Sequence, residues 1–167
     1  MKGRKKVVNT ISPNSYDIST TDREFKLTLQ KSDILTLFGL AAILLRRRVI
    51  KRYQGMDNFR CFMQRANLES ARVFFLSSSQ TTLRLIKSRA QVDYPNVSID
   101  CYSPPYKSVF ISEDNDEMIK RINTFSTQLL CIGMTAPKQE KWVAGNTERL
   151  NVNIDGYVNF SIWGNSC

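Results

Sequence analysis

The residues best suited to chemistry follow one apolar run. After Leu129–Ile132 come Gly133, Met134, Thr135, Ala136, Pro137, Lys138, Gln139, Glu140, Lys141 and Trp142. That order reads as a strand, a tight glycine turn and a helix opened by proline. A proline at the first helical position costs nothing there, because the missing N–H would have no partner inside the helix. The free amides of such a first turn, with Thr135 as the expected cap, make an anion site, and Lys138 adds positive charge beside it. The competing reading is an ordinary strand-to-helix turn with a solvated polar first turn. A second loop of interest, Ser77-Ser78-Ser79, closes another apolar run, Val73–Leu76.

Composition narrows the chemistry further. The chain has 167 residues and no histidine, so histidine triads and histidine-ligated metals are excluded. Proton transfer near neutral pH then falls to Asp, Glu, Lys, Tyr or Cys. Cysteines 61, 101, 131 and 167 are scattered without CxxC spacing, so neither a zinc site nor a disulfide framework is expected. No metal or cofactor is expected. A net charge of +9 points to an anionic partner. One basic cluster lies at residues 2–6, within an expected basic arm of about 1–8. A second comprises Arg46, Arg47, Arg48, Lys51 and Arg52. Cations ending a short helix complement its dipole; the functional reading is attachment to anionic lipid headgroups. No helix-turn-helix, zinc-finger or RNP-like pattern supports nucleic acid as the partner. The apolar run Phe38–Leu45 is too short to span a bilayer, and nothing resembles a signal peptide. A reduced, cytoplasmic protein is expected.

The elements that must hold these residues alternate between strand and helix, which implies parallel α/β layering. Thr21 and Glu24 read as a capping box opening a helix that runs to about Lys31. Further helices are expected over Phe38–Arg48, Met56–Leu68 and Gln80–Gln91, and another opened by the acidic segment Glu113–Glu117. Strands are expected at Arg72–Leu76, Val97–Tyr102 and Gln128–Ile132, the last nearly free of polar residues and so placed inside a covered sheet. The stretch Val73–Met134 is then half of a doubly wound fold, which binds ligands beyond the carboxyl ends of its strands. One domain over residues 1–167 suits that length.

The run Gly-Met-Thr-Ala-Pro-Lys-Gln-Glu-Lys-Trp resembles the signature of the WecG/TagA/CpsF family of bacterial glycosyltransferases. Other segments fall in the family's order: Ile11-Ser12-Pro13-Asn14-Ser15-Tyr16, Ser32-Asp33, Arg52-Tyr53-Gln54-Gly55-Met56-Asp57, Val73–Leu76, Tyr102-Ser103-Pro104-Pro105-Tyr106 and Ile122-Asn123. The resemblance implies a Rossmann-like α/β fold, its mostly parallel sheet covered by helices on both faces. It implies a metal-independent, inverting transfer of a hexose or N-acetylhexosamine, such as N-acetylmannosamine, from a UDP-sugar to a polyprenyl-diphosphate-linked acceptor. The product would serve teichoic acid or cell-surface polysaccharide synthesis, at the inner face of the plasma membrane. By resemblance Asn14 lies near the acceptor and catalytic centre, with Ser12 in place of the usual Thr. Arg52 would offset charge on the departing diphosphate, and Gln139 would hold donor hydroxyls. Ser77, Ser78, Gly133, Thr135, Pro137, Lys138 and Glu140 complete the expected substrate-binding set. The implied partners are the UDP-sugar, the lipid-linked acceptor and an anionic membrane surface, with homo-oligomer formation open.

Three departures from the family pattern stand out. The Asp-Gly pair that should follow Ser32-Asp33, whose Asp would be the general base, is missing. Asp33 is the nearest carboxylate, and it is expected on the wrong side of the loop. Ser77 replaces a glycine and approaches ligand less closely. Phe160 stands where an Asp is usual, and the family's basic tail is missing beyond Cys167. A shortened, divergent member is implied, and a catalytically inactive UDP-sugar-binding or partner-binding remnant is the alternative.

Overall fold

The computed structural model describes residues 5–37, 55–77, 79–152 and 154–157. The expected helix over Phe38–Arg48, and with it Arg52, Ser78 and Phe160, lies outside the described residues. In chain order the elements are β1 (Lys6–Ile11), α1 (Pro13–Thr21), α2 (Arg23–Gln30), β2 (Ile34–Leu37), α3 (Gly55–Leu68), β3 (Arg72–Ser77), α4 (Gln80–Asp93), β4 (Ser98–Tyr102), α5 (Ser112–Thr124), β5 (Leu129–Gly133), α6 (Lys138–Asn146), a 3-10 turn (Thr147–Arg149) and β6 (Ile154–Tyr157). The strands form one sheet in the order β2-β1-β6-β5-β3-β4. Every pairing is parallel.

Residue alternation along the central strands builds two cores. Successive side chains of a strand point to opposite faces. Val73 and Phe75 of β3 with Leu129 and Cys131 of β5 pack against Phe59 and Met63 of α3 and Leu83 and Ile86 of α4. Their neighbours Phe74, Leu76, Leu130 and Ile132 meet Met118 and Ile122 of α5 and Trp142 and Val143 of α6 on the other face. Both faces are therefore covered, which explains why these strands read as continuous apolar runs. Ring contacts fix the two layers: Phe59 and Phe75 centroids lie 6.4 Å apart, and those of Phe74 and Phe125 lie 6.0 Å apart. Burial pushes the Cys131 thiol well above its ordinary pKa, so it behaves as an inert core group.

The fold corrects the expectations at three places. The sheet continues past β5 through β6, β1 and β2, so Lys6–Val8 of the expected basic arm begins an interior strand. A separate helix, α1, fills Pro13–Thr21. Thr21 is consequently still helical, with its hydroxyl donating to Ile18 O at 3.2 Å, and cannot open the next helix. Asp22 does so instead: its backbone is extended, and its Oδ1 accepts from Phe25 N at 2.9 Å.

Candidate active site

The crevice between β3 and β5 is where the sheet's connections diverge. The chain leaves β3 through α4 on one face and leaves β5 through α6 on the other. Open α/β sheets bind ligands at such a switch point, outside the carboxyl ends of the strands. The two residues that end these strands, Ser77 and Gly133, stand opposite each other in the register. Ser77 is buried, and its Oγ donates to Gly133 O at 3.0 Å. This serine thus ties the ends of β3 and β5 together. Ser79, two residues on, caps α4 by accepting from Thr82 N.

The turn after Gly133 differs in detail from its expected form. The Ala136–Pro137 peptide is cis, and Pro137 is the residue before the helix, not its first member. Thr135 makes no side-chain cap; its carbonyl accepts from Lys138 N at 3.0 Å. One of the amides expected to be free is therefore occupied by a turn. The Lys138 ammonium points to the β4–α5 connection, donating to Lys107 O and sitting 3.6 Å from the Phe110 ring centroid. Partial burial lowers its pKa, against the pull of Asp114.

Gln139 and Glu140 follow within the first turn of α6, and both are buried. Gln139 Nε2 donates to Glu140 Oε1 at 2.8 Å. Gln139 Oε1 and Glu140 Oε2 meet no hydrogen-bond partner among the described residues. Burial raises the Glu140 pKa, and the bond from Gln139 only partly offsets this.

Beyond β6, β1 brings Ser12 and Asn14 to the same edge. Ser12 caps α1, accepting from Ser15 N at 3.1 Å, while Ser15 Oγ returns a contact to Ser12 N. Pro13 is the first helical residue and Asn14 the second, its side chain exposed. Two strand spacings, roughly 10 Å, separate β1 from β5. The carboxyl edge thus gathers Ser12, Asn14, Ser77, Gly133, Thr135, Pro137, Lys138, Gln139 and Glu140, leaving Arg52 and Ser78 outside the described residues. Asp33 stands at the opposite edge, just before β2 begins, where Oδ2 accepts from Val7 N at 2.9 Å and Oδ1 lies 3.7 Å from Lys6 Nζ. No group of three or more Cys, Asp or Glu side chains able to hold a metal occurs among the described residues.

Residue patterns gave no notice of a cleft of ≈ 530 Å³ between α2 and α6, lined by Asn9, Leu27, Thr28, Glu140, Val143 and Ala144 among others. Asn9 is buried at the centre of β1, with Nδ2 donating to Ser32 Oγ at 2.6 Å and Oδ1 without a partner among the described residues. Its sequence signal is a lone amide inside Val7-Val8-Asn9-Thr10-Ile11. Lys141, which also lines the cleft, bridges Asp22 at 2.7 Å and Glu24 at 2.8 Å.

The chain is similar to an N-acetylglucosaminyldiphosphoundecaprenol N-acetyl-beta-D-mannosaminyltransferase of Bacillus subtilis (strain 168), with 23% identity over 141 residues, covering 82% of this chain and 53% of that protein. A protein of the same name from Staphylococcus aureus (strain NCTC 8325 / PS 47) is 21% identical over 138 residues, covering 80% of this chain and 52% of its own. The chain therefore spans about half the length of the curated relatives it matches. The model of the WecG/TagA/CpsF glycosyl transferase family matches residues 1–159, nearly the whole sequence, and the chain belongs to that family.

Proposed function

We propose that this chain is a glycosyltransferase. It would move an N-acetylhexosamine, such as N-acetylmannosamine, from a UDP-sugar to a polyprenyl-diphosphate-linked acceptor at the inner face of the plasma membrane. The observation that carries this reading is the placement of the Gly133–Trp142 signature at the β3–β5 switch point, on the same edge as Ser12 and Asn14. In this reading the pyrophosphate lies across the Ser77–Gly133 pair and the Pro137 turn, with Arg52 and Ser78 as further donors. Gln139 holds a sugar hydroxyl, and Asn14 orients the acceptor. The relatives' names, which specify an undecaprenol-diphosphate acceptor, support the lipid-linked acceptor.

Calorimetric titration of the folded chain with UDP, followed by a transfer assay using a polyprenyl-diphosphate acceptor, tests this reading. Binding with transfer supports it. Folded protein giving no heat at millimolar nucleotide removes the donor site. One observation favours a second reading, a UDP-sugar-binding protein without turnover: Asp33 is held by Val7 N and Lys6 at the far edge of the sheet. Nucleotide binding without transfer selects that alternative.

A further inference from the structure

The connection between β4 and α5, residues 103–111, places large apolar side chains in water. Tyr106 is 97% exposed, Val109 75% and Ile111 54%. Unpacked apolar residues often mark a loose loop, but this one is braced at its base. Pro104 is buried. Lys138 of α6 donates to Lys107 O and lies over Phe110. Lys107 Nζ pairs with Asp114 at 2.8 Å, and Asp114 Oδ2 accepts from Ile111 N at 3.1 Å. Those contacts hold the loop backbone to α5 and α6 while the Tyr106, Val109 and Ile111 side chains stay outside.

From this geometry we infer that loop 103–111 is a lipid-docking element, seating Tyr106, Val109 and Ile111 in the headgroup–acyl boundary of a bilayer. Three observations select a bilayer as the occupant. Tyrosine is favoured at the membrane–water interface, where its ring is buried and its hydroxyl stays wet. The loop follows the carboxyl end of β4 and is bonded to Lys138 of the signature turn, so docking it brings the candidate site to the membrane plane. The local charges are also largely neutralised within the protein, Lys107 by Asp114 and Asp116 by Arg149, leaving apolar contact as the driving force. The inference rests on the lipid-linked acceptor of the proposed function. It assigns the contact to this loop, not to the basic clusters at 2–6 and 46–52.

Co-sedimentation of the full chain with phosphatidylcholine vesicles, with and without phosphatidylglycerol, tests the assignment. The wild type is expected to partition onto neutral vesicles and to change by less than about twofold when salt rises to about 0.5 M, because screening acts on charges and not on apolar contact. Tyr106→Ser/Val109→Ser should lose about tenfold or more in partition, from the loss of buried apolar area. Leu85→Ser/Val92→Ser, which removes two exposed apolar groups from α4, should partition as the wild type does. Equal binding by the loop variant overturns the inference. So does binding confined to anionic vesicles and abolished by salt. Calorimetry with UDP separates the two readings: a loop variant that binds UDP normally but not vesicles supports the inference. A wild type that docks through the loop without binding UDP leaves it standing while removing the donor site.

Discussion

Gln139 donates its side-chain amide to Glu140, its neighbour in sequence, at 2.8 Å, with both side chains withdrawn from solvent. The bond fixes which end of the glutamine is committed. Its NH2 group faces the carboxyl, so Oε1 is the acceptor left without a partner among the described residues. In the proposed function, Glu140 would position Gln139 through this bond.

The same burial makes Glu140 a source of pH dependence. Its folded-state pKa is raised, chiefly by desolvation, so the native protein holds this proton more tightly than the unfolded chain does. Stability is therefore greatest below the ordinary carboxylate pKa and declines as pH rises from there through the raised value. Glu140→Gln cannot ionise and should lack that decline. Urea midpoints at a series of pH values should show the variant gaining on the wild type across this interval. A constant difference would show that Glu140 titrates normally.

Ser77 gives a second prediction. Ser77→Ala removes the hydroxyl that ties β3 to the carbonyl of Gly133, at an expected cost of about 0.5–1.5 kcal/mol in urea unfolding. Ser77→Gly should cost at least as much, since it also adds freedom to the unfolded chain. Both should weaken UDP binding if that carbonyl sets the shape of the turn. Unchanged stability in both variants would mean that the bond contributes nothing.

Asp22 serves two elements at once. It caps α2 through Phe25 N and meets Lys141 of α6 at 2.7 Å. The hydrogen bond from Lys141, ahead of the one from Phe25 N, holds its pKa below the usual value. Its contribution is thus present above the ordinary carboxylate pKa and is lost as pH falls through the lowered one. Asp22→Asn keeps a capping oxygen and loses the ion pair, whereas Asp22→Ala loses both. The melting temperature should fall in the order wild type, Asn, Ala, and the first gap should shrink in high salt. Equal melting temperatures for the two variants would remove the cap from the account.

How much of this was legible in the sequence follows from how each element is stabilised. Strands β3 and β5 were readable because burial on both faces leaves Val73–Leu76 and Leu129–Ile132 without polar interruption. Strand β1 was hidden behind a basic cluster, and it carries the polar Asn9 and Thr10, whose side chains bond to Ser32 and Thr36. Helix α1 shows no apolar stripe, since its buried residue is Ser15, held by the Ser12 cap. The signature turn stood out by residue type, and its glycine and proline did mark a strand-to-helix connection. The direction of Lys138 did not, because it is set by Phe110 and Lys107 from a loop distant in sequence.

Ser12 and Asn14 both stand at the start of α1, and the structure gives them different surroundings. The Ser12 hydroxyl is occupied in closing the first turn of α1, where it accepts from Ser15 N and meets Ser15 Oγ at 2.9 Å. Ser12→Ala should therefore cost about 1 kcal/mol of stability as a lost cap. Asn14 is exposed on the second helical residue, so Asn14→Ala should alter stability by no more than about 0.5 kcal/mol. If Asn14 orients the acceptor, that silent change should still lower sugar transfer by about a hundredfold, through kcat more than through the KM for the UDP-sugar. Thermal melting beside steady-state kinetics resolves the two roles. A transfer rate in Asn14→Ala equal to the wild type would remove Asn14 from the reaction.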